Sequence, residues 1–194
     1  MAKTESLMTE LGTEAAPFRM REVTSGQTIT LEDFRGSKAL LVMFICRHCP
    51  FVQHVEREVA RLGRDYVSRG VGVVAISSND PEAYPEDAPN SLREMAENLG
   101  FNFPYCYDET QETAKAYGAV CTPDFFLYDQ DRLLVYRGQL DDSRPSNSVP
   151  VTGRDLRAAI DAVLAGEPIE VEQRPSIGCN IKWRPGSAAS TTHA

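Results

Sequence analysis

The 194-residue chain is 42% hydrophobic and 25% charged, a balance that fits one globular domain with a substantial core. Its formal net charge of −8 and its pI near 4.9 disfavour nucleic acid or an anionic membrane surface as a partner. No apolar run approaches the roughly 20 residues of a spanning helix, and the first residues lack an apolar signal core, so we expect a cytoplasmic protein.

The first predicted element is a β-hairpin. Residues 1–16 mix charge and polarity and are predicted to be flexible. The stretch "FRMREVTSGQTITLEDFRG" then has two alternating segments around the turn signal Ser25-Gly26, which is typical of a hairpin. The continuous apolar run "KALLVMFI" (38–45) predicts a central strand buried on both faces.

A long amphipathic helix is predicted after this strand, at 50–69. Its apolar stripe consists of Val52, Val55, Val59, Leu62 and Tyr66. Gly70 is a common type of helix stop, and "VGVVAIS" (71–77) predicts a second buried strand. The two strands and the helix between them predict a βαβ unit with a parallel strand pair.

The second half of the chain predicts shorter elements. Helices are expected at 91–99, 109–117 and 153–165, and "FFLYD" with "LLVYRGQL" predicts an antiparallel hairpin. The main domain would then span 17–166. Residues 167–194 would form a C-terminal extension that ends in a disordered "GSAASTTHA".

The cysteine pair in "FICRHCPFV" lies at the turn from the first buried strand into the long helix. Free N–H groups and the partial positive charge of a helix N-terminus stabilise a thiolate there. Arg47, or His48 when protonated, would add to this effect, and Pro50 suits the first helical turn. The pattern favours a redox-active dithiol, with Cys46 as the attacking thiolate and Cys49 as the resolving thiol.

Two other interpretations of the pair stay open. In the first, the cysteines are two buried structural thiols. In the other they form half of a zinc site, completed by His54, Cys121 or Cys179. The chain has no second C-x-x-C and no H-x₃-H spacing, which weakens the zinc interpretation.

The strand–"CRHCP"–helix pattern, followed by "AYGAVCTPDFFLYDQDRLLVYRG", resembles the thioredoxin-like superfamily. The N-terminal hairpin and the insertion before Pro123 are similar to the peroxiredoxin-like (alkyl hydroperoxide reductase/thiol-specific antioxidant) branch, here with a C-x-x-C motif. The C-terminal "PSIGCNIKWRPG" resembles the tail of an uncharacterised bacterial group of that branch.

The resemblance implies an α/β, thioredoxin-like fold. This fold would be a central mixed β-sheet flanked by helices, with an N-terminal β-hairpin and a C-terminal extension. It also implies disulfide exchange with protein or small-molecule thiol and disulfide substrates. Electrons would come from or go to a dithiol, and no bound cofactor would be needed.

Thr122 and Pro123 match the family's dipeptide opposite the dithiol, in which the proline is cis. The resemblance implies that this bond turns the backbone of Thr122 outward. Its N–H and C=O would then be free to pair with an extended peptide held against Cys46.

Three residues depart from the families that the chain resembles. Leu40 stands where thioredoxins carry a buried Asp, and Ile45 stands where they carry Trp. Peroxiredoxins place Thr or Ser three residues before the reacting cysteine, and that position before Cys46 is Met43. They also use an Arg on the strand of Pro123. Without these groups a peroxide is poorly oriented, so thiol peroxidase activity is an alternative only.

The remaining candidates are one histidine and two thiols. His48 is placed as in protein disulfide isomerase and the oxidising periplasmic dithiol oxidase. This implies a reduction potential above the roughly −270 mV of thioredoxin. Cys121, two residues before Pro123, and Cys179, in the C-terminal "GCN", are candidates for additional redox thiols or for packing.

Overall fold

The computed structural model describes residues 3–187, which fold around one large and one small β-sheet. The strands are β1 (Lys3–Glu5), β2 (Arg19–Glu22), β3 (Thr28–Thr30), β4 (Ala39–Phe44), β5 (Val71–Ser77), β6 (Tyr105–Tyr107), β7 (Cys121–Thr122), β8 (Asp124–Tyr128), β9 (Leu134–Gly138) and β10 (Ile177–Asn180). The helices are α1 (Pro50–Tyr66), α2 (Pro89–Leu99), α3 (Glu112–Tyr117) and α4 (Arg154–Ala165). None of these helices has the length and apolar character of a bilayer span.

The large sheet is mixed, in the order β3-β2-β6-β5-β4-β8-β9. All residues of β4 are buried, as its continuous apolar sequence predicts. β4 pairs in parallel with β5, which confirms the predicted βαβ unit, and antiparallel with β8. The predicted hairpins are also present, as β2 with β3 and as β8 with β9.

Helices pack on both faces of this sheet and bury two apolar clusters. Helices α1, α2 and α4 cover one face, against the β4 side chains of Leu41 and Met43. α3 and the N-terminal hairpin cover the other, against Leu40, Val42 and Phe44. The alternation follows from the two-residue repeat of a strand. Sheet and helices together form the α/β, thioredoxin-like architecture that the resemblance implies.

Helix α1 follows the predicted range closely. Pro50 is its first residue, Cys49 is its N-cap, and a 3₁₀ turn carries the chain from Tyr66 to Gly70. Gly70 has φ +91°, a conformation that glycine adopts at little cost. The predicted apolar stripe of α1 is buried against the sheet.

Helix α3 is shorter than predicted and begins at Glu112. The backbone N–H groups of Thr113 and Ala114 donate to the carboxylate of Asp108, and Gln111 has φ +63°. The side-chain cap and the left-handed residue hold the preceding chain in a turn. The segment before it forms β6, which pairs in parallel with β5.

Both terminal segments are more ordered than the sequence predicts. Within the segment 1–16, Lys3–Glu5 pairs as β1 with β10, and β10 in turn pairs with β7. Most of the predicted extension, 167–194, therefore packs on the domain through the small sheet β1-β10-β7. Its pairing partners are far apart in sequence, so no local pattern signals them. The predicted disordered end lies outside the described residues.

Candidate active site

The two thiols meet at the carboxyl end of β4, where open α/β sheets place their sites. Cys46 follows β4 by two residues, and Cys49 caps α1. Both side chains are fully buried and belong to the same apolar cluster. The two thiols are close enough to shift each other's pKa, that of Cys46 upward and that of Cys49 downward. The predicted pair is therefore in direct contact at the N-terminus of a helix.

Thr122 contacts both sulfurs. Its hydroxyl lies 3.2 Å from Cys46 Sγ, and its carbonyl oxygen lies 3.2 Å from Cys49 Sγ. The peptide bond from Thr122 to Pro123 is cis. The structure thus brings together two residues of the C-x-x-C motif and the distant Thr-Pro dipeptide.

The backbone of Thr122 is not open to a peptide in this structure, contrary to the expectation from the resemblance. β10 pairs antiparallel with β7, with Cys179 opposite Thr122 and Asn180 opposite Cys121. The approach is so close that a Cβ on Gly178 would overlap the Thr122 carbonyl. The chain's own C-terminal strand therefore occupies the position predicted for a substrate.

The thiol with the lowered pKa is Cys49, and the assignment of Cys46 as the attacking thiol stays a prediction. The hydrogen bond from Cys46, then one from the Cys179 thiol, and N–H groups of Val52 and Cys179 lower the pKa of Cys49 to about 5 despite its burial. Burial raises the pKa of Cys46, as do its bond to Cys49 and the negative charge of Asp87. The Val52 N–H in the first turn of α1 lies near Cys49, which favours ionisation of Cys49 over Cys46.

Asp87 organises the C-x-x-C turn and was not predicted. Its Oδ1 accepts the backbone N–H groups of Arg47 (2.8 Å) and His48 (3.1 Å). Its Oδ2 accepts from Asn79 Nδ2 at 2.8 Å and contacts His48 Nδ1. These hydrogen bonds outweigh burial and lower the pKa of Asp87. A signal existed, because the polar loop after β5 leaves the sheet at the same edge as the turn after β4.

Arg47 and His48 point into this loop. The Arg47 guanidinium donates to the Ser91 carbonyl at 2.8 Å and to Glu94 at 2.9 Å. The His48 ring stacks on Tyr84, with 4.6 Å between ring centroids. Neither side chain donates to a sulfur, so both act on the site through the fold of the turn.

The other three cysteines are buried but occupy different places. Cys106 lies in the cluster on the opposite sheet face, and burial raises its pKa to about 12. Cys121 is on β7, with its pKa raised mainly by burial. Cys179 lies near Cys49 in the same apolar cluster, and burial together with the neighbouring Cys49 raises its pKa to about 12.

One group of side chains has the donors for a metal ion. Within residues 3–187, one donor atom each of Cys46, His48 and Asp87 lie within 4.8 Å of one another. They are not the residues predicted to complete a zinc site with the cysteine pair. The oxygens of Asp87 already accept four hydrogen bonds from the turn and from Asn79, so this carboxylate is engaged without a metal.

The sequence model of the AhpC/TSA family matches residues 11–137, which include the C-x-x-C turn, Thr122 and Pro123. The chain belongs to this family. Its Geobacillus kaustophilus relative, an uncharacterised conserved protein of known structure, is 56% identical. That match covers 96% of this chain and 98% of the relative, with a TM-score of 0.94.

More distant relatives carry descriptions of activity. The thiol-disulfide oxidoreductase ResA of Halalkalibacterium halodurans is 24% identical over 61% of this chain, and the match spans 62% of that protein's length. A thioredoxin-family thiol:disulfide interchange protein from Chlorobium tepidum is 17% identical, with a TM-score of 0.61 over 79% of this chain and 97% of that one. The latter similarity shows a shared thioredoxin-like fold. Family and fold together support an oxidoreductase.

Proposed function

We propose that the protein is a thiol–disulfide oxidoreductase that works through Cys46 and Cys49. The observation that carries the proposal is the contact of the two thiols with each other and with Thr122, at the N-terminus of α1. Its substrates are thiols and disulfides of proteins or small molecules, and a second dithiol exchanges electrons with it. No bound cofactor is required, because the two thiols carry the electron pair.

The reaction follows from the proton shared by the two sulfurs. As Cys46 attacks a substrate disulfide, its proton passes to Cys49, the thiol of the pair with the lower pKa. Cys46 is then joined to one substrate sulfur, and the other leaves as a thiolate and takes up a proton. Cys49, deprotonated again, attacks Cys46 and releases the second substrate thiol. The substrate disulfide is reduced by two electrons, and the Cys46–Cys49 disulfide is formed.

Peroxide reduction is the second candidate, and one contact favours it. The Thr122 hydroxyl lies 3.2 Å from Cys46 and supplies a polar group that position 43 lacks. Met43 itself is buried in the core. A hydroxyl alone stabilises less developing charge than a hydroxyl with a guanidinium, so disulfide exchange is the better-supported function.

The cytoplasmic location predicted from the sequence is part of this proposal. A reducing compartment keeps an odd set of five cysteines as free thiols and provides a dithiol partner. A zinc-binding role for the pair is the least supported, because the ligands around Cys46 are already hydrogen-bonded.

Insulin reduction with dithiothreitol as electron source tests the proposal. We expect turnover by the wild type and only the uncatalysed rate with Cys46→Ser and with Cys49→Ser. Cys106→Ser is the matched control, since Cys106 is equally buried but lies on the opposite sheet face, and it should retain turnover.

Two further measurements on the same samples separate the alternatives. Peroxide consumption that depends on Cys46, without insulin reduction, would replace the proposal with a peroxidase. Stoichiometric zinc in purified protein, without either activity, would replace it with metal binding. A mixed disulfide trapped on Cys46 in Cys49→Ser identifies the attacking thiol.

A further inference from the structure

The Cys49 sulfur contacts two thiols rather than one. The register of β10 places Cys179 opposite Thr122, whose carbonyl oxygen lies 3.2 Å from Cys49 Sγ, so Cys49 has both Cys46 and Cys179 as neighbours. All three side chains are buried within one apolar cluster. Three sulfurs with a common central member form a chain in which a disulfide can move from one pair to the other.

The backbone holds Cys179 at this place from two sides. β10 lies between β1 and β7, and Cys179 is opposite Lys3 in one register and Thr122 in the other. The Cys179 N–H also points at the Cys49 sulfur. Gly178 permits the approach, because any larger residue there would overlap the Thr122 carbonyl. The pairing register of β10 thus places the Cys179 thiol beside the C-x-x-C pair, where a thiol of a substrate would lie.

We propose that Cys179 is a third redox thiol, which receives the disulfide from Cys46–Cys49 to give Cys49–Cys179. The inference rests on the proposed dithiol function and names a further redox residue for it. The Cys179 sulfur attacks Cys49, the bond between Cys46 and Cys49 breaks, and the bond between Cys49 and Cys179 forms. Cys46 leaves as a thiolate and takes the proton of Cys179. The electron count of the protein does not change, so the step needs no added oxidant.

The charges around Cys179 favour the step only after the first disulfide has formed. Burial, the hydrogen bond to Cys49 and the negative charge of Cys49 raise the pKa of Cys179, while Lys182 opposes them. Cys49 carries no charge in a disulfide, so two of the three effects that raise this pKa disappear. Cys179 therefore becomes a better nucleophile when its target is present.

The consequence is a free Cys46 in the oxidised protein. A disulfide between Cys46 and Cys49 blocks both thiols, whereas Cys49–Cys179 returns Cys46 as a thiol at the C-x-x-C turn. Cys121 is the control for Cys179, because it is also a buried cysteine and directly precedes Thr122 on β7.

Non-reducing peptide mapping of the full-length protein tests this assignment. The protein is oxidised with oxidised glutathione, quenched with acid, alkylated and analysed by mass spectrometry. We expect a Cys49–Cys179 peptide in the wild type, in Cys46→Ser and in Cys121→Ser. In Cys179→Ser we expect only Cys46–Cys49, with complete loss of Cys46 alkylation.

Three results would overturn the inference in different ways. If Cys46–Cys49 forms and insulin is reduced, but no Cys49–Cys179 peptide is found in the wild type or in Cys46→Ser, the third thiol is refuted and the proposed function stands. If no variant forms either disulfide and insulin is not reduced, both are refuted. A Cys49–Cys121 peptide in place of Cys49–Cys179 also overturns the assignment.

Discussion

The donors around Cys49 decide where the negative charge of the site lies. The neighbouring thiols of Cys46 and Cys179 and the Val52 N–H in the first turn of α1 favour a charge on this sulfur, while Asp87 lies near Cys46. The sequence predicts the pair and a helix N-terminus beside it from the strand–"CRHCP"–helix pattern. It does not predict which sulfur the N–H groups reach, because that depends on whether Cys46 or Cys49 is the N-cap. It also omits Asp87 and names Cys179 only as a candidate, because the contacts of these two residues with the pair come from distant parts of the chain.

Thiolate absorbance at 240 nm measures this charge directly. Because the pKa of Cys49 is lowered to about 5, we expect an absorbance step with a midpoint near 5 in the reduced wild type. Cys49→Ser should lose the step. Cys106→Ser should keep it, because Cys106 has a pKa raised to about 12 and is protonated at that pH. A wild type with no step below pH 8 would contradict the assignment.

Among the elements, β10 shows most clearly what a local pattern does not predict. β4, β5 and α1 follow from apolar runs and from a 3.6-residue repeat, and their predicted ranges agree with the structure to within a few residues. The tetrapeptide of β10, "IGCN", has no such pattern, and both of its partner strands are short. Its place is set by tertiary contacts alone: the close approach of Gly178 to Thr122 and the apolar cluster around Cys179.

Gly178→Ala tests the packing of this element. The added Cβ overlaps the Thr122 carbonyl, a backbone atom that cannot rotate away, so β10 must shift from β7. We expect the free energy of unfolding to fall by about 1–3 kcal/mol, as for overpacked sites. Urea denaturation followed by the fluorescence of Trp183, the single Trp, measures the change.

Gly36→Ala provides the matched control for that experiment. A Cβ at Gly36 would meet no atom within 4 Å, so this variant should unfold within about 0.5 kcal/mol of the wild type. Equal stability of Gly178→Ala and Gly36→Ala would mean that β10 does not pack on β7 as described.

The whole molecule combines a buried central sheet with a small sheet formed by chain segments near its two ends. β4 pairs on both sides and lies between helical layers, whereas β1, β10 and β7 together contribute only a few ladder residues. The sequence predicts the first part, including the fold class and the C-x-x-C edge. The sequence places the domain boundaries at 16 and 167, whereas β1 and β10, which lie beyond them, pair with each other and with β7. Composition indicates the polarity of a segment but not its long-range pairing.

Hydrogen exchange should separate these two parts. Amides of β4 are expected to exchange only through global unfolding, and those of β10 at least about tenfold faster through local opening. Mass spectrometry of peptic fragments over 39–44 and 177–180 measures both rates in one sample. Equal protection of the two strands would show that the small sheet opens only when the whole domain unfolds.

The strand that covers Thr122, β10, also competes with any peptide that would pair with this residue. β10 is tethered to α4 by residues 166–176, so it competes at an effective concentration that is about millimolar or higher for a tether of this kind. A peptide that pairs with Thr122 must displace β10. This competition raises the apparent dissociation constant of the peptide. A small disulfide that reaches Cys46 without strand pairing does not compete with β10, so its apparent dissociation constant is not raised. Because β10 covers the Thr122 backbone, the site binds extended peptides more weakly than compact substrates.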